Sequence, residues 1–339
     1  MRLLVTGNQG YLGSVMVPLL QAAGHDVVGY DTGLYADSVL GPAPTDPPTI
    51  AKDIRDVAPG DLEGCEAVIH LAALSNDPLG ALEPQITHDI NHHASVRLAK
   101  AAKEAGVRRF LYASTCSVYG AAGADAVTED SPMRPVTPYA ESKVRVESDV
   151  HDLADGEFEP VFLRNATAFG ASPRLRADIV LNNLVGHAML SGRVLVMSDG
   201  TPWRPLVHAR DIAEAFSRCL TAPREAVHAM AFNVGAEMNN ATVAQIAQEA
   251  QRAVPGSELD ITGETGSDPR SYRVDFSAIR AALPGYEATW SIADGAHELA
   301  AAYRSAPLTR EGFDGDFVRL AVLQRKQEAG LLDADFRPR

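Results

Sequence analysis

The sequence predicts an α/β fold: a parallel, doubly wound sheet with a smaller α/β domain interleaved with it. Two observations lead there. Short β-rich apolar runs alternate with helical patterns through the first half of the chain, and the pattern loosens after Gly170 without an internal repeat, low-complexity run or flexible linker. "RLLVTG" (2–7) reads as a buried strand, followed by a helix from about Tyr11 to Ala23. Pro18 is expected to kink that helix, because its nitrogen cannot donate to the Ser14 carbonyl. "DVVGYD" (26–31), "AVIHLAA" (67–73) and "RRFLYAS" (108–114) read as further strands. A long helix, roughly 83–105, precedes the last of these and ends at Gly106, a C-cap; another runs from about Pro138 to Leu153 into the strand "PVFLRNA" (160–166).

Beyond Gly170, "ASPRLR" reads as a loop and 178–191 as a helix. "TPWRPLVHARDIAEAF" passes from loop into helix, and "AFNVG" (231–235) reads as one more strand of the main sheet. Short elements with Gly and Pro breaks follow to about 305, and 313–330 has helical periodicity before a charged tail. The expected organisation is a nucleotide-binding domain from 1–170 plus about 206–235, and a second domain from about 171–205 plus 236–312. Residues 313–339 then form a C-terminal helix and tail.

Composition narrows the function classes. At 339 residues, 46% of them hydrophobic, the chain is a globular protein large enough for two coupled domains. A net charge of −14 disfavours a general nucleic-acid or anionic-membrane partner, since either needs a basic face. "MRLLVTGNQGYLG" is too interrupted to be a secretory signal, and no apolar run approaches the ~20 residues of a membrane span. Cys65, Cys116 and Cys219 are odd in number and form no CxxC pair, which argues against a disulfide framework or a metal site and fits a reducing cytoplasm.

The first turn is built for a dinucleotide. Gly7, Gly10 and Gly13 in "TGNQGYLG" follow a strand and open a helix. Glycine there permits a tight turn, close approach of backbone to pyrophosphate, and close helix–sheet packing, as in Rossmann-type folds. Tyr11 and Leu12 lie in the same turn. Asp31 ends the second strand, where a carboxylate accepts from the adenosine ribose and repels a 2′-phosphate, favouring NAD over NADP. Asp53 with Ile54, just after the third strand, either meets the adenine ring or belongs to an ordinary solvated loop.

Chemistry is expected at "YAESK" (139–143), which puts Tyr139 and Lys143 one helical turn apart on one face. A phenol titrates near ~10, too high for a base at neutral pH unless a cation stabilises phenolate. Lys143 supplies that field and can hold the nicotinamide ribose.

With these pieces in place, the chain resembles the extended short-chain dehydrogenase/reductase family in its sugar-nucleotide epimerase/dehydratase branch. The resemblance covers about residues 1–305. It rests on TGxxGxxG at 6–13, Asp31, "HLAA" at 70–73, Asn91, "STCSVYG" at 114–120, YxxxK, "LRNATAFG" at 163–170, "WRPLVHARDIA" at 203–213 and "DPRSYRVD" at 268–275. It implies a catalytic Thr115 with Tyr139 and Lys143, and NAD contacts from Leu71, Ala72 and Ala73 as well as the residues above. It also implies a nucleotide-diphosphate sugar as substrate, met by Ser117, Asn165, Asn182 or Asn183, Arg204 and Arg270, and a homodimer joined through the helices near 83–105 and 138–153. Thr167 departs from an Asn frequent in the family.

Dehydratases that the chain resembles carry an acid before "VYG", where this chain has Cys116 and Ser117. Elimination needs a proton donor and acceptor, and this segment has no carboxyl group for either. The resemblance therefore implies a C4-epimerase, passing through a 4-keto sugar. A ketoreductase, a dehydratase, an epimerase at another carbon, or a non-catalytic NAD-sensing scaffold are the rival readings. Cys116 is expected to be a small buried hydrophobe, although Lys143 is near enough in sequence to leave a thiol nucleophile open. His70 and His208 are expected to be structural, and His92 and His93 helix surface.

Overall fold

The computed structural model describes residues 1–75, 83–264, 270–306 and 308–339, without the side chains of 122–124. Positions 268–269 of the "DPRSYRVD" segment lie outside the described residues. Seven parallel strands form the central sheet: β1 (Arg2–Thr6), β2 (Asp26–Asp31), β3 (Thr49–Ala51), β4 (Ala67–His70), β5 (Arg109–Thr115), β6 (Glu159–Asn165) and β7 (Ala231–Val234). Their spatial order is 3-2-1-4-5-6-7. The order reverses between β1 and β4, which leaves a crevice at the carboxyl ends of those strands where such sheets bind ligands.

Alternation along each strand serves two layers. On β1, Leu3 and Val5 pack with Met16, Leu20, Leu111 and Phe216, while Leu4 points to the other face with Tyr30, Val68, Leu98 and Phe110. Separate apolar packing joins helix Val180–Ser191 (Leu181, Val185), helix Val243–Ala253 (Ile246) and helix Ile292–Ser305 (Leu299, Tyr303). Small sheets tie these elements to the main one: Thr167–Phe169 with Trp203–His208 and Asn240–Thr242, and Ala121–Val127 with Ser271–Val274.

Several expectations hold closely and others change. The first helix, Tyr11–Ala22, runs through Pro18 without a break. Gly106, at φ +78°, ends its helix as expected, with its N–H on the Lys103 carbonyl and the Val107 N–H on that of Ala102. The helix expected over 83–105 is an unbroken run from Pro84 to Glu104, with a π turn at Asp89–His93 between its α-helical stretches Pro84–His88 and Ala94–Glu104. "WRPLVH", expected as loop, is the strand Trp203–His208; its partners lie about 40 residues away on either side, beyond the reach of local pattern. His92, expected on the surface, is buried, with Nε2 2.7 Å from Asp149 Oδ2.

Candidate active site

At the crevice lies a cavity of about 770 Å³, ample for a nucleotide-sized ligand. Its floor is the turn after β1. Gly7 holds φ +71°, and a Cβ there would sit 2.8 Å from the Ala72 nitrogen. A Cβ on Gly13 would lie 2.3 Å from the Gly7 carbonyl oxygen, so these two glycines are demanded by the turn and by helix packing. Gly10 is the freer one, its nearest neighbour being the Gly7 carbonyl at 3.1 Å. Tyr11 and Leu12 complete the floor, with the Tyr11 hydroxyl donating to the Gly170 carbonyl at 2.8 Å.

One end of the cavity is acidic and tied to backbone. Asp31 accepts from the Gln9 N–H at 3.0 Å and the Gly33 N–H at 2.9 Å. Burial pushes its carboxyl up, and those two N–H groups oppose the shift. Asp53 and Ile54 also line this end. Asp53 is not a free loop carboxylate. Burial would raise it, yet Arg55 donates to it from its backbone N–H, Nε and Nη2 and holds it below the usual carboxylate range.

The wall formed by Leu71, Ala72 and Ala73 is fixed by a directional relay. The Ala72 N–H donates to Thr6 Oγ1 at 3.2 Å, and Thr6 Oγ1 lies 2.6 Å from His70 Nδ1. His70 Nε2 lies 2.7 Å from Ser95 Oγ, which donates to the Asn91 carbonyl at 2.6 Å. Each group donates once if the imidazole is neutral with its proton on Nε2. Burial, reinforced by Lys143, pulls His70 down to about 3, in agreement. Asn91 in the π turn clamps Leu74 with two bonds, from the Leu74 N–H at 2.8 Å and to its carbonyl at 3.0 Å. His70 is thus structural, as expected, and the role of Asn91 is to hold this turn.

The opposite wall carries the expected chemical groups. Thr115 ends β5 and caps the next turn by accepting from the Ser117 N–H at 3.1 Å. Thr137 caps helix Pro138–His151, whose first two turns present Tyr139 and Lys143 to the cavity. Lys143 Nζ donates to the Ala113 carbonyl at 2.7 Å, 4.6 Å from the Tyr112 ring centroid and 5.6 Å from that of Tyr139. Burial pulls its ammonium down to about 7, partly countered by Glu147. Glu147 is itself buried, accepting from Ser114 Oγ at 2.5 Å and from Arg164 Nη2 at 2.7 Å.

Cys116 turns the other way. Its thiol donates to the Arg164 carbonyl at 3.0 Å within the core, burial pushes it well up, and it does not line the cavity. The thiol-nucleophile reading is therefore removed.

Of the residues expected to meet substrate, Ser117, Asn165, Asn183, Arg204 and Arg270 line the cavity. Asn165 donates to the Ser114 carbonyl, while its buried Oδ1 has no partner among the described residues and is left for a ligand donor. Arg204 Nη1 bonds the Trp203 and Arg270 carbonyls, so the two arginines sit side by side. Asn182 is a correction: fully buried, it bonds the Gly170 N–H and carbonyl and the Arg176 carbonyl and stays out of the cavity. Sequence spacing cannot separate Asn182 from Asn183, neighbours about 100° apart around one helix turn, of which Asn183 lines the cavity and donates to the Ala177 carbonyl. Thr167, the family departure, lines the cavity. His208 bonds Glu298 at 2.8 Å and stacks on Trp290, structural as expected.

Sequence reading missed several lining residues. Tyr272, inside the "DPRSYRVD" segment, lines the cavity with Ser117. Arg176, in the supposed loop "ASPRLR", donates to Asp178 at 2.9 Å and to Ser75 Oγ at 3.0 Å. Arg319 and Phe336 reach the cavity from the C-terminal segment.

Comparison with known proteins places this arrangement. Residues 3–235 match the NAD dependent epimerase/dehydratase family. The UDP-glucose 4-epimerase of Mycolicibacterium smegmatis is 30% identical over 316 residues, 87% of this chain and 96% of that protein. A dTDP-glucose 4,6-dehydratase of Streptomyces griseus is 29% identical over 311 residues, covering 86% of this chain and 91% of the other. MoeE5, solved in complex with UDP-glucuronic acid and NAD, superposes with a TM-score of 0.77 at 26% identity, over 90% of this chain and 99% of its own. The glycine turn, the Tyr139–Lys143 helix and the cavity they share are thus those of an enzyme, and the chain belongs to the NAD-dependent epimerase/dehydratase family, in its extended short-chain dehydrogenase/reductase branch.

Proposed function

We propose that this NAD-dependent enzyme epimerises a nucleotide-diphosphate sugar at C4. The observation that carries the reading is the composition of one wall: Thr115, Tyr139 and Lys143 line the cavity, while positions 116 and 117 hold a core-facing thiol and a serine. Of the carboxylates lining the cavity among the described residues, Asp31 and Asp53 lie at the far end from this wall and Asp178 is paired with Arg176. An acid–base pair for elimination is missing where dehydration would need it.

Bound NAD supplies a hydride acceptor that can return what it takes. The protein does the rest. Tyr139 takes the proton of the sugar 4-OH, with the Thr115 hydroxyl holding the same oxygen. The Lys143 ammonium stabilises the phenolate that this requires. Arg204 and Arg270 hold the substrate diphosphate through guanidinium contacts, and Ser117, Asn183 and the unpartnered Asn165 Oδ1 orient the sugar. A cavity of about 770 Å³ leaves room for a 4-keto sugar to turn and present its other face.

The reading also includes a two-domain division at the boundaries given above. It includes a homodimer through the helical segments of 83–105 and 138–153, and a cytoplasmic site consistent with three unpaired, buried cysteines. The direct test incubates the enzyme with UDP-, dTDP-, GDP- and CDP-hexoses and hexuronates without added cofactor, following the sugar by NMR. A C4-inverted product is expected. Strict dependence on added NADPH would make it a ketoreductase, and a 4-keto-6-deoxy product a dehydratase.

A further inference from the structure

We propose that the C-terminal segment Thr309–Arg339 forms a roof over the dinucleotide and supplies, through Arg319, a cationic contact to the diphosphate of NAD. The inference rests on NAD dependence and is independent of which sugar carbon reacts.

Arg319 opens the helix Arg319–Glu328, lines the cavity, and is only 4% exposed. Its guanidinium lies 4.4 Å from the centroid of the Tyr35 ring, and Nη2 donates to the Arg174 carbonyl at 3.2 Å. Nη1 is buried with no hydrogen-bond partner among the described residues. The neighbouring guanidiniums are neutralised within the protein, Arg174 by Asp46 at 2.7 Å and Arg176 by Asp178 at 2.9 Å. Arg319 makes no ion pair with any described residue. A buried guanidinium with no carboxylate of its own, beside two other arginines and sharing the field of Asp178 with Arg176, is an unfavourable arrangement until an anion arrives. Burial, with Arg176 and Arg174 beside it, pulls its guanidinium down to about 10 against the opposing pull of Tyr35 and Asp178.

Two anions could come near: the diphosphate of NAD and that of the sugar nucleotide. The surroundings favour NAD. Tyr35 follows Asp31 by four residues on the way out of β2, and the tail is pinned to the segment after β3. Arg337 Nη1 lies 2.5 Å from Asp56 Oδ2, and Arg55 Nη1 donates to the Asp335 carbonyl at 2.9 Å. Phe336 lines the cavity with Asp53 and Ile54. The substrate arginines, Arg204 and Arg270, come instead from the strand Trp203–His208 and the segment before Ser271–Val274. The glycine turn therefore meets the dinucleotide diphosphate from below with N–H groups, and Arg319 from above with a full charge.

The test titrates cofactor-stripped full-length wild type, Arg319→Gln and Arg319→Lys with NAD, ADP-ribose, adenosine and UDP by calorimetry, alongside thermal melting of each apo protein. NAD and ADP-ribose affinity is expected to fall at least tenfold in Arg319→Gln and to be partly restored in Arg319→Lys. Adenosine and UDP should bind within twofold of wild type, and apo Arg319→Gln should melt at or above the wild-type temperature, having lost an uncompensated charge. Three results would overturn the proposal: unchanged NAD affinity; weakened UDP with intact NAD, which would assign the arginine to the substrate diphosphate; or loss of adenosine binding together with a lower melting temperature, which would make Arg319 structural. If Arg319→Gln does not fold, Arg319 is structural and the proposal is contradicted.

Discussion

The wall of the cavity and its roof are held by different physics. The wall, from β1, β4, β5 and helix Pro138–His151, is set by buried polar groups that are nearly all paired: the Thr6–His70–Ser95 relay, Lys143 on the Ala113 carbonyl, and Glu147 between Ser114 and Arg164. The roof rests on a small apolar cluster, Leu74, Ile86, Leu323, Leu332 and Phe336, and on ion pairs at the rim such as Arg337–Asp56, whose side chains are 36% and 48% exposed. Buried, hydrogen-bonded groups are rigid because every alternative leaves a polar atom unsatisfied. Rim pairs exchange readily with water. The wall is thus held rigid and the covering segment is replaceable, so damage to the two regions should register in different measurements.

The sharpest contrast is in turnover. Tyr139→Phe removes the proposed proton acceptor and is expected to lower kcat by about 10³-fold, with NAD affinity unchanged in the same calorimetric titration. Next comes global stability. Glu147→Ala strands the Arg164 guanidinium in the interior and should destabilise the protein by ~3–5 kcal/mol, read from urea unfolding.

Lys143→Met separates function from stability within the wall. Activity should be lost, yet the apo protein should gain stability at low pH. The wild-type ammonium is pulled from 10.5 to about 7 on folding. Below about pH 7 the lysine is charged both folded and unfolded, and its burial penalty is fully present. As pH rises from there the folded lysine loses its proton first, and the penalty fades until it is gone above the unfolded value. The advantage of the methionine variant should therefore be largest near pH 6 and vanish by about pH 10; a pH-independent difference would contradict the burial argument. The smallest effect belongs to the roof. Arg337→Ala should change global stability by less than about 1 kcal/mol while speeding NAD dissociation, and a larger loss would mean the rim is as integral as the wall.

Most of the main sheet was legible in the sequence because it is written in short-range signals. β2 runs over the expected Asp26–Asp31, and Gly7, Tyr139 and Lys143 sit at strand and helix ends whose chemistry is local. The residues that escaped are those whose meaning depends on distant partners. Trp203–His208 needs Thr167–Phe169 and Asn240–Thr242 to become a strand. His92 becomes an interior residue only because Asp149 comes from another helix, and Asn182 and Asn183 are told apart only by what packs beside them. Arg319 is the extreme case: nothing within its own helix marks it as a cavity residue, and its significance comes from Tyr35, Arg174 and Arg176, well over a hundred positions away.

The central claim, that the wall carries out epimerisation at C4 and not elimination, is tested most directly with UDP-glucose and UDP-glucuronic acid carrying deuterium at C4 and carbon-13 throughout the sugar, each mixed with its unlabelled form and incubated with the enzyme as purified. The account predicts a C4-inverted product that keeps its deuterium at C4, with no exchange between molecules. Deuterium appearing at C6 of a product that has lost water, or turnover only when external cofactor is supplied, would contradict it.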